Sequence, residues 1–221
     1  MAADTMLKAI IFDLDNCLAA ADEPGTPLFA PLFDAIHRTN RGHFSPEELE
    51  RIEFDCWRQP LDHIFEAHGF PEEMRKAAWE ANRSIRVTTP MKGYGDLHLL
   101  AEFGVPLFLV TAGFQGLQQS KIDALGFANR FTEVHIDAVD QPGRRGKKGL
   151  FQGILSRHGL APDEALVVGD NPDSEIAAGN ALGIPTVQTL RPTVPRTDTA
   201  RYHVAGLAEL LALTGSGRVA M

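Results

Sequence analysis

Apolar residues in this chain fall into short, nearly continuous runs instead of alternating with polar residues. Four runs are clear and a fifth is weaker: Leu7–Phe12, Val105–Val110, Ala165–Val168, Pro185–Leu190 and, more weakly, Glu133–Asp137. Runs of this kind are typical of parallel strands that are covered by helices on both faces. The pattern therefore predicts a buried parallel sheet.

Helical patterns lie between these runs. Gln115–Leu125, Leu150–His158 and Ser174–Leu182 are each followed directly by a glycine, which can adopt the left-handed conformation that ends a helix. Alternating strands and helices indicate an α/β fold with a doubly wound, Rossmann-like parallel sheet. In such sheets ligands bind beyond the carboxyl ends of the strands, so the residues that follow each run are the candidates for chemistry.

The stretch from residue 17 to 89 departs from this alternation. A serine, a proline and a glutamate at Ser45, Pro46 and Glu48 form a capping-box helix start, and a second helical pattern covers Glu72–Arg86. No strand pattern is present here. We therefore expect an all-helical domain at 17–89 inserted into an α/β core made of 1–16 and 90–221, with a frayed tail at Thr214–Met221.

Composition and charge narrow the classes of partner. The chain has 221 residues and a formal net charge of −8, which disfavours nucleic acid and anionic membranes as partners. The two cysteines, Cys17 and Cys56, lack metal-ligand spacing and are expected to be reduced thiols. The N-terminus lacks a signal-peptide pattern, and no apolar run approaches the ~20 residues that span a bilayer. These features predict a soluble, cytoplasmic protein.

Two aspartates, Asp13 and Asp15, directly follow the first apolar run. If the extended geometry of the strand continues through Asp15, the two carboxylates point in similar directions. Like charges so close repel unless one takes up a proton or a cation neutralises them, and a hard dication such as Mg²⁺ suits oxygen ligands. One carboxylate can then attack an electrophile while its neighbour transfers protons. A solvated turn is the alternative interpretation.

Three other segments carry candidate chemistry. The hydroxyl of Thr111 and the backbone N–H groups that follow it can hold an anionic oxygen. The basic loop Gly143–Gly149 supplies either a lysine that neutralises a phosphate or a solvated surface. Asp170 has the same position relative to its predicted strand as Asp13 has relative to the first strand. A metal ion bound by both carboxylates is therefore plausible.

Taken together, these motifs resemble the phosphatase branch of the haloacid dehalogenase superfamily. The resemblance covers about residues 6–16 and 90–190. The first motif of that family is a pair of aspartates separated by one residue, which reads Asp13–Asp15 here, and the second is a strand-terminal Thr or Ser, matched by Thr111.

The third and fourth motifs of the family are also matched. The third is a lysine at a helix start, for which Lys147 fits the spacing to the first helical aromatic residue and Lys148 is the alternative. The fourth is an acidic pair after Gly-Asp, here Asp170 and Glu175, although aspartate is commoner at the second position.

The resemblance implies a Mg²⁺-dependent phosphatase. Asp13 would attack phosphorus and form an aspartyl-phosphate, and Asp15 would protonate the leaving group and then activate water. The phosphoryl oxygens would be held by the side chains of Thr111 and Lys147 and by backbone N–H groups near Leu14 and Ala112. The Mg²⁺ ion would be bound by Asp13, the backbone carbonyl of Asp15, Asp170 and Glu175, the last directly or through water.

The insertion at 17–89 stands where one branch of this superfamily carries a helical cap. Such caps close over the site and contact the substrate. Trp57, Arg58, His63 and Arg86 are candidates for reading it, or are surface and packing residues. A small phosphorylated metabolite is the expected partner, and nucleotide monophosphates, phosphoglycolate and sugar phosphates are all compatible. The sequence does not indicate an oligomeric state.

Three other functions compete with the phosphatase. A phosphomutase of the β-phosphoglucomutase type shares all four motifs, so the core residues leave it open. A 2-haloacid dehalogenase uses the same nucleophile on carbon without a metal, and Asp15 and Asp170 argue against it. A non-catalytic regulatory protein on this fold would be expected to lack one or more of these acids.

Overall fold

In the computed structural model, which describes residues 6–215, six parallel strands form one sheet. In chain order they are β1 (Ala9–Phe12), β2 (Leu107–Gly113), β3 (Glu133–Ala138), β4 (Ala165–Gly169), β5 (Thr186–Thr189) and β6 (Tyr202–Val204). They lie side by side in the order β3-β2-β1-β4-β5-β6. The chain therefore steps outward from β1 on one side, returns, and steps outward on the other. This order confirms the predicted doubly wound, Rossmann-like sheet.

Helices cover the sheet and fill the stretch between its first two strands. In chain order they are α1 (Ala30–Thr39), α2 (Pro46–Cys56), α3 (Leu61–His68), α4 (Glu72–Ser84), α5 (Gln115–Leu125), α6 (Gly146–His158), α7 (Ala177–Asn180) and α8 (Leu207–Thr214). No described helix is long and apolar enough to span a membrane.

Two apolar cores lie on the two faces of the sheet. Successive residues of a strand point to opposite faces. Ile10 and Phe12 of β1 belong to a core shared with α5 and α8, whereas Ala9 and Ile11 belong to a core shared with α6 and α7. Because β1 is buried on both faces, its sequence is a continuous apolar run, as the pattern predicts.

A third apolar core lies among α1, α2, α3 and α4, which all come from the stretch between β1 and β2. The predicted capping box at the start of α2 is present. The Glu48 N–H donates to Ser45 Oγ at 3.3 Å, and the Ser45 N–H donates to Glu48 Oε2 at 2.8 Å. The four helices bury their own residues against one another and also against Phe114 and Leu117, at the start of α5.

Several element boundaries differ from the sequence expectations. The strand β2 extends to Gly113, so Thr111 lies within it. The helix α6 begins at Gly146, earlier than expected, because its first turn is polar and carries no apolar pattern from which its start could be predicted. The helix expected over Ser174–Leu182 is present with different bounds: it begins as a wide helical turn at Pro172–Ile176 and continues as α7 to Asn180. The three-residue β6 was not predicted, since so short a strand has no pattern of its own.

The expected tail at Thr214–Met221 is wrong at its first residue, because Thr214 ends α8 and is buried. Residues 216–221 lie outside the described part of the chain, as do residues 1–5 of the proposed core.

Candidate active site

Two neighbouring parallel strands deliver the principal acids to one place. Asp13 follows β1 and Asp170 follows β4, and the two strands pair with Phe12 opposite Val168. The backbone N–H of Asp13 continues this pairing by donating to Val168 O at 2.9 Å. Carboxylate oxygens of Asp13, Asp170 and Glu175 all lie within 4.8 Å of one another. The cluster therefore forms at the position where the strand order reverses.

The wide helical turn after β4 places Glu175 in this cluster. The backbone N–H of Asn171 donates to Glu175 Oε1 at 2.6 Å, and the Glu175 side chain is almost completely buried. A Cβ atom on Gly169 would lie 2.3 Å from both the Cγ and Oε1 atoms of Glu175. Glu175 therefore reaches the cluster because residue 169 has no side chain.

Lys147, in the first turn of α6, neutralises part of this negative charge. Its Nζ lies 2.7 Å from Asp13 Oδ1 and 2.7 Å from Glu175 Oε2, and its side chain is 9% exposed. Burial opposes the charged form, but the carboxylates of Asp13 and Glu175 outweigh burial and raise the pKa of Lys147 above its ordinary value. Lys148 is exposed and forms no ion pair with any described residue, so the geometry favours Lys147 over Lys148 as the lysine of the site.

The charge at the site remains unbalanced. Burial, as the largest cause, raises the pKa of Asp13 to about 7, although Lys147 acts in the opposite direction. Burial and then the charge of Glu175 raise the pKa of Asp170 to about 8. The Asp170 carboxylate forms no hydrogen bond with any residue in the described range 6–215. Three converging carboxylates against one ammonium form an all-oxygen donor set with excess negative charge, which fits a hard divalent cation such as Mg²⁺.

The side chain of Asp15 lies outside this cluster. Its Oδ1 accepts from Lys121 Nζ at 2.6 Å, and its Oδ2 accepts from Gln118 Nε2 at 3.1 Å. The chain turns sharply after Asp15 because Asn16 adopts a left-handed conformation, φ 55°, which asparagine tolerates. The Asn16 Oδ1 accepts from the N–H of Ala21 at 3.1 Å and closes this turn.

Thr111 lies on the strand next to β1 and lines the same cleft as Asp13. Its hydroxyl donates to Gln118 Oε1 at 3.1 Å. Ala112 also lines the cleft, whereas the Leu14 side chain is buried in the apolar core. The structure thus brings Thr111 beside Gln118, a residue that the sequence analysis did not single out.

Gln118 and Lys121 were not predicted from the sequence as residues of the site. Both are buried on the face of α5 that also buries Leu117 and Ile122. A signal existed, because two polar residues three apart occupy the stripe where an amphipathic helix would place apolar ones.

A cleft of ≈ 690 Å³ opens above these residues and is walled by the helical stretch. Three of the four residues predicted as candidates for substrate contact line this cleft: Trp57, Arg58 and His63. Arg86 is outside the cleft, and its guanidinium donates to backbone carbonyls near the end of α4. Asn82 of α4 also lines the cleft, and its buried Oδ1 has no hydrogen-bond partner among the described residues.

The basic loop has a structural role besides supplying Lys147. Arg144 Nε donates to Asp137 Oδ2 at 2.7 Å, and the Arg144 guanidinium also pairs with Asp62 of α3. The Gly146 N–H donates to Asp137 Oδ1 at 2.9 Å, so Asp137 fixes the loop from which α6 begins. The ion pair with Asp62 connects the loop to the helical stretch.

Comparison with known proteins identifies similar chains. A family model described as haloacid dehalogenase-like hydrolase matches residues 7–183. The chain is 35% identical over 136 residues to phosphoserine phosphatase of Thermus thermophilus, a match that covers 59% of this chain and 53% of that protein. It is 29% identical over 205 residues to glyceraldehyde 3-phosphate phosphatase of Methanopyrus kandleri, covering 84% of this chain and 85% of that protein.

Solved structures share the fold. The crystal structure of a HAD phosphatase from Thermococcus onnurineus superposes with a TM-score of 0.63 at 22% identity, covering 96% of this chain and 100% of that one. At this identity the likeness shows the arrangement of strands and helices, and the chemistry has to be argued from the side chains.

Substitution of Gly169 tests how tightly the cluster is built. In Gly169→Ala the new methyl group displaces Glu175 from its bonds to Asn171 and Lys147, because a Cβ at position 169 would lie 2.3 Å from Glu175 Cγ and Oε1. We expect a loss of about 1–3 kcal/mol in the free energy of unfolding, measured by chemical denaturation. Gly104→Ala is the control, since a Cβ there meets nothing within 4 Å. Equal stability of the two variants would contradict the packing of Glu175 on Gly169.

Proposed function

The chain belongs to the haloacid dehalogenase-like hydrolases, as an enzyme of their phosphatase branch, and we propose that it hydrolyses the phosphomonoester of a small metabolite through a phosphorylated Asp13. The observation that carries this proposal is the convergence of Asp13, Asp170, Glu175 and Lys147 on the floor of one cleft. Asp15, the second acid of the first motif, lines the same cleft.

In the first half of the proposed reaction, a carboxylate oxygen of Asp13 attacks phosphorus as the bond to the leaving oxygen breaks. Asp15 donates a proton to that oxygen, so the alcohol leaves neutral. Lys147 contacts Asp13 directly and holds its carboxylate in place. The backbone N–H groups of Leu14 and Ala112 hold the phosphoryl oxygens, as the motif implies. The Thr111 hydroxyl joins them when its proton turns from Gln118 Oε1 to the phosphate.

In the second half, Asp15 removes a proton from a water molecule whose oxygen attacks the phosphorus of the phosphorylated Asp13. The bond between phosphorus and the Asp13 carboxylate oxygen breaks, and inorganic phosphate and free Asp13 are produced. Asp13, Asp170 and Glu175, with the backbone carbonyl of Asp15, would hold Mg²⁺, which supplies positive charge to the phosphoryl oxygens when it is bound.

We assign the recognition of the leaving group to a helical cap at about 17–89. The cleft wall that it forms is mixed, with apolar Phe29, Leu32 and Trp57 beside polar side chains that include Arg58 and His63. The two relatives are phosphatases of small phosphorylated metabolites by name, which supports the same substrate class here.

The reaction itself is tested with p-nitrophenyl phosphate and controlled Mg²⁺. We expect hydrolysis that disappears on chelation, returns when Mg²⁺ is added, and is abolished in Asp13→Asn, because the amide is a poor nucleophile. Release of p-nitrophenolate is followed by absorbance. Asp34→Asn, at an exposed aspartate of α1 outside the cleft, serves as the control and should keep wild-type turnover. Activity that is indifferent to Mg²⁺, or that survives in Asp13→Asn, would contradict the proposal.

A pair of adjacent lysines tests the assignment of Lys147. Lys147→Met leaves Asp13 and Glu175 without their shared cation, so we expect kcat for p-nitrophenyl phosphate to fall by roughly 100-fold or more. Lys148 also lines the cleft but has no ion-pair partner among the described residues, so Lys148→Met should lower kcat far less than Lys147→Met does. The reverse order of effects would assign the role to Lys148.

Asn82 offers a test of substrate recognition by the helices. Leucine at this position removes a buried acceptor that has no partner in the described structure. We therefore expect Asn82→Leu to raise the free energy of unfolding by about 1–3 kcal/mol and with it the unfolding temperature. The same variant should lose kcat/KM for the best substrate from a panel of phosphorylated metabolites, while kcat/KM for p-nitrophenyl phosphate is retained. A parallel loss for both substrates, or a lower unfolding temperature, would show that the Asn82 amide serves the fold.

A further inference from the structure

Helix α5 places two polar side chains where an apolar stripe is expected. Gln118 and Lys121 are 4% and 3% exposed and lie on the buried face with Leu117 and Ile122. Taking an ammonium group out of water is costly unless an opposite charge compensates for it. Packing alone therefore gives no reason for a lysine at position 121, and its partner indicates its role.

That partner is Asp15. Lys121 Nζ lies 2.6 Å from Asp15 Oδ1, and Gln118 Nε2 lies 3.1 Å from Asp15 Oδ2, so one face of α5 binds both oxygens of this carboxylate. Gln118 is itself oriented by Thr111, whose hydroxyl donates to Gln118 Oε1 at 3.1 Å. The three side chains hold Asp15 from two elements that lie far from it in the sequence.

The two aspartates of the motif consequently have separate cations. Lys147 contacts Asp13 and Glu175, whereas Lys121 contacts Asp15. Asp15 is only two residues from Asp13, yet its carboxylate is outside the cluster of Asp13, Asp170 and Glu175. A fourth free carboxylate beside that cluster would be attracted to any cation bound there, because carboxylates are the preferred ligands of hard cations.

We propose that Lys121 and Gln118 are positioning residues that hold the Asp15 carboxylate apart from the cation-binding cluster. This inference rests on the proposed phosphatase function, in which Asp15 is the acid and base. Lys121 acts through Asp15 and contacts neither the cluster nor the attacking oxygen.

A readout that depends on Asp15 separates positioning from a structural role. Protonation of the leaving oxygen matters little for p-nitrophenyl phosphate, whose leaving group is a stable anion, and more for phenyl phosphate, whose leaving group is more basic. The two esters differ by one nitro group and occupy similar space. Loss of a correctly placed Asp15 should therefore lower kcat for phenyl phosphate more than for p-nitrophenyl phosphate.

The experiment compares kcat and KM for both esters, with Mg²⁺ present, in wild type, Lys121→Met, Asp15→Asn and the double variant. We expect Lys121→Met to lower kcat by about 10-fold or more for phenyl phosphate and several-fold less for p-nitrophenyl phosphate, with KM little changed. In the Asp15→Asn background, Lys121→Met should have no further effect on kcat, since the residue through which Lys121 acts has already been lost.

Conservative and neighbouring variants complete the test. Lys121→Arg keeps the charge and should recover part of the phenyl phosphate turnover. Gln118→Leu should shift the ratio of the two kcat values in the same direction as Lys121→Met. Gln119→Leu, at the adjacent exposed glutamine of α5, should leave the ratio at its wild-type value.

Stability is measured in parallel, because Lys121→Met leaves Asp15 without its cation. The Asp15 side chain is 23% exposed and remains hydrated, and the double variant removes both charges together. If Lys121→Met does not fold, the positioning role is tested by the ratio of the two kcat values in three other variants: Gln118→Leu, Lys121→Arg and the double variant.

The inference and the proposed function fail in different ways. A wild-type enzyme without Mg²⁺-dependent phosphatase activity would overturn the proposed function. An active wild type in which Asp15→Asn changes the ratio of kcat values, but Lys121→Met and Gln118→Leu do not, would overturn only the positioning role. The positioning role would also be overturned if Lys121→Met lowered kcat by the same factor for both esters, and did so both in wild type and in Asp15→Asn. That result would indicate a structural role for Lys121.

Discussion

Mutual repulsion among Asp13, Asp170 and Glu175 is the constraint on which the rest of the site depends. Their oxygens lie within 4.8 Å of one another because β1 and β4 end side by side and the turn after β4 folds Glu175 back onto Gly169. Burial makes the charged forms costly, as the raised pKa values of Asp13 and Asp170 show. Lys147 offsets one charge, and the remaining negative charge suits the site to a divalent cation.

The second acid of the motif experiences a different environment. Asp15 lies outside the cluster and is bound by Lys121 and Gln118 of α5. Two carboxylates separated by one residue thus obtain different neighbours, which is the general way in which one protein gives two similar acids different chemistry. In the proposed mechanism, Asp13, within the cluster, becomes the nucleophile, and Asp15, bound by α5, transfers protons.

The helical stretch between β1 and β2 connects to this centre through a few polar contacts and a shared wall of the cleft. Arg144 pairs with both Asp137, near the end of β3, and Asp62 of α3, so the loop that delivers Lys147 is also attached to the helices. The cleft wall from this stretch combines apolar side chains with Arg58 and His63, a composition that suits recognition of a small molecule by shape and a few polar contacts.

The sequence by itself determined five of the six strands, most of the helices and the positions of Asp13 and Asp170. Apolar runs and glycine caps are local properties, and a strand end is marked by the polar residue that follows it. The partners of these acids were decided by the tertiary structure alone. Lys121 is 106 residues from Asp15 along the chain and Lys147 is 134 from Asp13, and no local pattern relates residues so far apart. Only the packing of α5 and α6 against β1 and its neighbours brings each lysine to its own aspartate, since burial of the apolar faces of these helices sets where their polar side chains end.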